Sequence, residues 1–292
     1  LGAISTITTV IRKDQQKTTI SVNSGRAVDL PEIPTWPQRS KIQEFKMAVE
    51  RIAIVTGAAH GIGEACAHVL AGQGKTVAVV DIDFDGAQKV AEAIKATGRP
   101  AKAYHCDVSR PAAVEQLVRD VVADFGQVDV LVNNAGICPR IAIEDMTEEW
   151  FDRIVNVNMK SVFFLTRAAA EDMKKRRWGR VVNVSSTGGR IGGVYRATVY
   201  SGTKAAILAI SKTMAREYAS FGILINCVAP GAVDTEMMTK GMANLESYVQ
   251  TVPLRRLAKP IEIAHSIAHL CADETTWVTG ATLDVNGGVV MV

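Results

Sequence analysis

The sequence predicts a doubly wound α/β fold, a parallel sheet of about seven strands with helices on both faces. Three observations predict it. Apolar runs and amphipathic helical stretches alternate from residue 51 onward. The strand-like runs are continuously apolar, as in strands buried on both faces. The first of them leads straight into a glycine-rich turn and a helix, Thr56-Gly57-Ala58-Ala59-His60-Gly61-Ile62-Gly63. Together these describe a single Rossmann-type domain, whose ligands lie outside the carboxyl ends of the strands.

The elements follow in order. Residues 52–56 are the first strand. Ile62, Ala65, Cys66, Val69 and Leu70 then share one helix face, and Gly72 and Gly74 end that helix. A β-branched run at 76–80 stops at Asp81, and Ala87, Val90, Ala91 and Ile94 mark the next helix. A weaker strand spans 101–106. Val114, Leu117, Val118, Val121 and Val122 repeat the helical spacing, and 128–132 is a strand ending in Asn133-Asn134-Ala135-Gly136. A helix over 150–167, broken or shifted, precedes a strand at 180–185. A long helix carries Ala206, Ala209, Ile210 and Met214, and strands at 224–229 and 282–285 complete the sheet.

Residues 1–46 show no sustained period, and Pro31, Pro34 and Pro37 break the latter part. They lack the basic start and apolar run of a secretory signal, and they carry too many acids for a transit peptide. We expect an irregular extension over 1–46 without catalytic work, a catalytic domain over 47–292, and Met47 as a natural or alternative start. The net charge of +3 is too mild for a nucleic-acid footprint. The densest basic run, Lys174 to Arg177 with Arg180, reads as a solvated helix end. Five scattered cysteines show neither metal spacing nor a disulfide framework. They fit buried thiols in a reducing, cytoplasmic setting. No apolar run is long enough to span a bilayer, so neither a metal, nor nucleic acid, nor a membrane is expected.

Gly57, Gly61 and Gly63 let the backbone approach a pyrophosphate, and the helix that follows offers free N–H groups. A tight connection alone would also use glycine. Asp81 ends the second strand, about 20 residues past the turn, where a carboxylate accepts both ribose hydroxyls and repels a 2′-phosphate. His60 and Ile82 supply no basic partner for such a phosphate. NAD(H) is therefore the expected cofactor. Asp107, with Val108 beside it, ends the third strand near the expected adenine, and helix capping ahead of Pro111 competes. Asn134, Ala135 and Gly136 end the fourth strand at a place suited to cofactor contact, although turn chemistry favours the same residues.

Tyr200 and Lys204 lie one helical turn apart and share a face. A nearby ammonium and the positive nicotinamide of the oxidised cofactor favour phenolate, and we expect these two charges, acting in a desolvated cleft, to lower the phenol enough for acid/base work. A serine of Ser185-Ser186, at the preceding strand end, can hold the substrate oxygen; turn formation with Gly188 and Gly189 is the alternative.

With these motifs the sequence resembles the short-chain dehydrogenase/reductase family in its form with a core of roughly 250 residues. The likeness covers about residues 50 to 288 and includes Thr56-Gly57-x-x-x-Gly61-x-Gly63, Asn133-Asn134-Ala135-Gly136, Asn158, Ser186, Tyr200-x-x-x-Lys204 and Pro230-Gly231. The resemblance implies a tetrad. Tyr200 is the acid/base and Ser186 positions the substrate oxygen. Lys204 lowers the tyrosine pKa and binds the nicotinamide ribose, and Asn158 holds a relay water. It further implies cofactor contacts from Ile62 and Asn134. Pro230, Gly231, Val233 and Thr235 follow the sixth strand and line the nicotinamide end. A homotetramer or homodimer with the Tyr200 helix in an interface is implied as well.

The expected function is NAD(H)-dependent interconversion of a secondary alcohol and a ketone on a small-molecule substrate. One alternative is a 3-oxoacyl-[acyl-carrier-protein] reductase. That enzyme generally prefers NADPH, and grips its carrier with two arginines; Arg177 matches one, but Phe221 stands at the other. A second alternative, a non-catalytic NAD-binding sensor or scaffold, would not need the Tyr/Lys pair. The stretches 138–143, 190–196 and 236–248 are expected to shape the pocket. Arg140, Arg190, Tyr195 and Arg196 are candidate contacts to a polar substrate, with plain solvent exposure as the competing explanation.

Overall fold

The computed structural model describes residues 19–21, 27–29 and 50–292, apart from 194 and 241–244. The chain divides into two units, Leu1–Val49 and Glu50–Val292. In the first, Thr19–Ser21 pairs antiparallel with Ala27–Asp29.

In the second unit the strands are β1 (Ile52–Thr56), β2 (Thr76–Asp81), β3 (Ala101–His105), β4 (Val130–Asn133), β5 (Gly179–Val184), β6 (Ile223–Pro230) and β7 (Thr282–Val285). They form one sheet in the order β3-β2-β1-β4-β5-β6-β7, parallel at every pairing. The order reverses between β1 and β4, and such a switch point opens a crevice at the carboxyl ends of the strands.

The helices are α1 (Gly61–Gly72), α2 (Phe84–Ala96), α3 (Pro111–Phe125), α4 (Glu148–Val155), α5 (Ser161–Arg176), α6 (Gly188–Ile191), α7 (Thr198–Tyr218), α8 (Glu236–Thr239), α9 (Leu245–Thr251) and α10 (Pro260–Leu270). Successive strand residues point to opposite faces, so the continuous apolar runs feed two cores. Ala53, Val55, Val77 and Val79 pack with Leu70 of α1, Ile94 of α2 and Ile267 of α10. On the other face Ile54, Ala78 and Val80 pack with Leu117 of α3, Leu165 and Met173 of α5, and Met214 of α7.

The irregular helix expected over 150–167 resolves into α4, a π-helical turn at Asn156–Lys160, and α5. The basic run ends α5, with Lys174, Lys175 and Arg176 in its last turn. Arg180 departs from the expected solvated end. It is buried in β5, its guanidinium stacked on the Trp178 ring at 4.4 Å. All five cysteines are free, and Cys66, Cys106, Cys227 and Cys271 are buried. Burial holds Cys106 up at about 11 and Cys271 at about 12, so both stay thiols at neutral pH. Among the described residues no helix is long and apolar enough to cross a membrane, and no group of metal-ligating side chains comes together.

Candidate active site

The β1–α1 turn is built for close approach. Gly57 has φ of +64°, and a Cβ there would lie 2.8 Å from the Ala135 Cα. At Gly63 a Cβ would sit 2.0 Å from the Gly57 carbonyl oxygen. Glycine therefore lets helix, turn and the β4 end pack in contact. Asn134 holds the turn from the other side, its Nδ2 donating to the carbonyls of Thr56 and Gly57 at 2.9 and 3.0 Å. No side chain caps α1, so its first-turn N–H groups remain for an anion.

Asp81 stands at the end of β2 with both oxygens engaged. Oδ2 accepts from the Ala59 N–H at 2.9 Å and Oδ1 from the Asp83 N–H at 3.0 Å. A carboxylate has about four acceptor positions, which leaves room for hydroxyl donors. Asp107 ties its own turn, its Oδ1 accepting from the Ser109 N–H and Oγ–H at 3.0 and 2.6 Å. These bonds close a local turn and do not cap α3, whose N-cap is Arg110 without a side-chain bond, and Asp107 lines the crevice.

The crevice holds two adjoining cavities. One, of about 890 Å³, is lined by Gly57, Gly61, Asp81, Asp107, Val108 and Ala135 among others. The other, of about 420 Å³, is lined by Ser186, Tyr200, Lys204, Pro230, Gly231 and Val233 among others. Ile62, Asn134, Gly136 and Thr235 line both. Two residues of the expected set stand behind these walls. Gly63 is packed beneath the turn, and Asn158 is fully buried.

Tyr200 enters on the first turn of α7, where Lys204 follows it with Nζ 5.6 Å from the ring centre. The Lys204 ammonium donates to the Val184 carbonyl at 2.7 Å, and the Lys204 carbonyl accepts from Ser185 Oγ at 2.7 Å. These two bonds pin α7 to the end of β5. They also separate the neighbouring serines: the Ser185 hydroxyl is consumed there, whereas Ser186 lines the cavity with Tyr200, opposes the rise of its phenol pKa and accepts from the Gly188 N–H at 3.0 Å.

Asn158 sits in the π turn. Its Oδ1 accepts from the Ile137 N–H at 2.8 Å and its Nδ2 donates to the Ile137 carbonyl at 2.9 Å. Nδ2 also reaches Thr203 Oγ1 at 3.3 Å. The side chain that the resemblance assigns to a relay water is thus committed to the backbone after Gly136. No spacing rule marks this residue, since the register shift that buries it comes from the π turn.

The electrostatics differ from the sequence expectation. Burial pushes the Tyr200 phenol up to about 12, helped by Cys138 and opposed by Ser186 and the Arg140 charge. Burial also pulls the Lys204 ammonium down to about 8, against Cys138 and Cys227. Desolvation penalises any charged form, phenolate as well as ammonium, so the dry cleft opposes the lowering expected of the two positive groups. At neutral pH the pair is a neutral phenol beside an ammonium.

This burial predicts a pH effect on stability. Below pH 8 folded and unfolded chains both carry the Lys204 proton, and the fold bears the cost of a buried charge. Between pH 8 and the ordinary 10.5 the unfolded chain binds more protons, so stability rises with pH. At ~1.36 kcal/mol per unit, wild type should gain on the order of 3 kcal/mol over that window relative to Lys204→Met. Urea unfolding of both proteins at pH 7.5 and 10 checks it. Parallel pH profiles would contradict it.

The three stretches expected to shape the pocket all contribute, through Cys138 and Arg140, Ile191 and Gly193, and Met237 and Tyr248. Of the polar candidates, Arg190 is bound elsewhere, pairing with Asp284 through Nε at 3.1 Å and Nη2 at 2.8 Å. Tyr195 and Arg196 line a separate cavity. Arg140 alone among those four faces both main cavities.

A parallel sheet with a glycine cradle, a strand-end carboxylate and a Tyr–Lys pair at its carboxyl edge defines a nucleotide-dependent oxidoreductase site. Residues 57–290 match the family described as enoyl-(acyl carrier protein) reductase. The 3-oxoacyl-[acyl-carrier-protein] reductase FabG of Escherichia coli (strain K12) is 39% identical over 244 residues, covering 83% of this chain and 98% of that protein. An uncharacterized oxidoreductase of Thermotoga maritima is 39% identical over 245 residues, covering 82% and 96%. FabG of Vibrio cholerae serotype O1 is also 39% identical over 245 residues, covering 83% and 98%. The chain belongs to the short-chain dehydrogenase/reductase family, as an oxidoreductase of keto and hydroxyl groups that uses a nicotinamide cofactor.

Proposed function

We propose that the chain interconverts a secondary alcohol and a ketone with NAD(H), Tyr200 being the acid/base. The observation that carries this is the Ser186–Tyr200–Lys204 cluster, closed in one cavity and adjoining a glycine-cradled crevice that ends at Asp81. The nicotinamide, when bound, supplies or accepts the hydride. Gly57, Gly61, Ile62, the α1 N-terminus, Asp81, Val108, Asn134 and Thr235 would hold the dinucleotide. Asp81 favours an unphosphorylated ribose, because its carboxylate repels a 2′-phosphate.

In reduction, the Tyr200 hydroxyl donates its proton to the carbonyl oxygen as that oxygen becomes an alkoxide, and Ser186 holds the same oxygen. Lys204 stabilises the phenolate left behind. The neutral phenol and charged amine found at neutral pH are the forms that reduction needs. Asn158 is a positioning residue, clamping Ile137 and with it the segment from Gly136 to Arg140. We expect a homotetramer or homodimer.

The names of the Escherichia and Vibrio relatives favour a second reading, a 3-oxoacyl-[acyl-carrier-protein] reductase. Phe221 weakens it, since it packs into the core below α7 at the place of a carrier-gripping arginine. Arg177 is exposed but donates to the Ser220 carbonyl at 2.8 Å. A panel of secondary alcohols, polyols and 3-oxoacyl thioesters separates the readings, followed at about 340 nm with NAD(H) and NADP(H) side by side. NAD(H)-dependent turnover of simple alcohols or ketones is expected. Turnover confined to thioesters with NADPH would establish the second reading, and no turnover at all would remove both.

A further inference from the structure

The smaller cavity contains a charge that the proton transfer does not use. Its cationic side chains are Lys204 and Arg140, and no carboxylate lines it. Lys204 donates to the Val184 carbonyl and stands 5.6 Å from the Tyr200 ring centre. Arg140 donates one N–H, from Nη1 to the Tyr195 carbonyl at 3.0 Å. Its Nε is buried without a hydrogen-bond partner among the described residues. Arg140 is partly exposed, but a buried N–H with nothing to accept from it is costly, and an anion accepting from it relieves the cost.

From this we infer that Arg140 binds a carboxylate on the substrate, which makes the substrate a small hydroxy or oxo acid; the inference rests on the alcohol–ketone reading of the site. The geometry around Arg140 supports it in three ways. Arg140 lines the same cavity as Tyr200, and its charge opposes the upward push of burial on that phenol. It acts in the same sense on Tyr248 across the cavity, a further polar group near the same spot. Ile191, Met237, Met238 and Val289 give the cavity an apolar stretch, suited to a short hydrocarbon chain. One free cation matches one carboxylate, whereas the dianion of a phosphomonoester would ask for two. A thioester carbonyl offers this arginine an acceptor without the charge.

Arg140 also borders the larger cavity, so a cofactor contact is the rival role that the test must separate. The probes are 2-hydroxybutyrate and 3-hydroxybutyrate, each against its methyl ester, with NAD in excess. Wild type, Arg140→Leu and Arg140→Lys are compared, and the Kd for NADH is measured on each. Wild type should prefer at least one acid to its ester in kcat/KM. Arg140→Leu should reduce that preference about 30-fold through the KM of the acid, and Arg140→Lys should restore part of it, because a charge-assisted hydrogen bond is lost and then partly returned. NADH affinity should move less than about twofold. Equal preference in wild type and Arg140→Leu overturns the inference, as does a loss of NADH affinity matching the loss of turnover. An enzyme that oxidises neutral alcohols but never prefers the acid also overturns it, while leaving the alcohol–ketone reading standing. Failure on every alcohol defeats that reading itself.

Discussion

Replacing Tyr200 with Phe should lower turnover about 10³-fold while leaving NADH binding nearly intact, because general acid–base catalysis contributes roughly 10² to 10⁴. The substitution keeps the ring, and with it the packing at the start of α7. It removes the one hydroxyl that shares the cavity with Ser186 one turn from Lys204. Ser186 keeps its other partner, the Gly188 N–H, so the loop after β5 retains its shape. Initial rates, a fluorescence titration with NADH and a thermal melt together check the claim. Turnover within tenfold of wild type would take the phenol out of the acid/base role. Loss of NADH affinity in parallel with rate would make Tyr200 a cofactor contact instead.

The second large effect concerns Asp81. Asp81→Asn retains the side-chain shape but loses the charge that repels a 2′-phosphate and strengthens hydrogen bonds from ribose hydroxyls. The ratio of kcat/KM for NADH over NADPH should fall about 100-fold, on the order of 2.7 kcal/mol. Part of the loss will be local. The Asp81 oxygens accept from the N–H groups of Ala59 and Asp83, and an amide nitrogen cannot accept from either. A melt separates that loosening from the change in preference. A ratio unmoved by the substitution, or a wild type already faster with NADPH, would overturn the NAD assignment.

Much of the fold was legible because parallel strands buried on both faces announce themselves as apolar runs, and β1 and β2 do so. The cradle was legible for a related reason. Only glycine tolerates the positive φ of Gly57 and the near contact at Gly63. What the sequence hides is whatever depends on partners far along the chain. Arg190 looks like a pocket arginine until Asp284, distant in sequence, takes it. Ser185 and Ser186 cannot be told apart until the carbonyl of Lys204 claims one of them. Asn158 needs the π turn, which no periodicity marks. Arg140 reads as a solvated loop residue until its buried Nε is seen. Even the sign of the Tyr200 shift depended on burial, which a spacing of Tyr and Lys does not reveal.

A crystal structure with NADH bound shows whether the dinucleotide spans the crevice from Asp81 to Tyr200. The adenosine ribose hydroxyls should rest on the Asp81 carboxylate, the pyrophosphate on the turn from Gly57 to Gly63, and the nicotinamide ring beside the Tyr200 hydroxyl. A dinucleotide bound elsewhere, or one lying in the crevice with its nicotinamide turned away from Tyr200, would contradict the account.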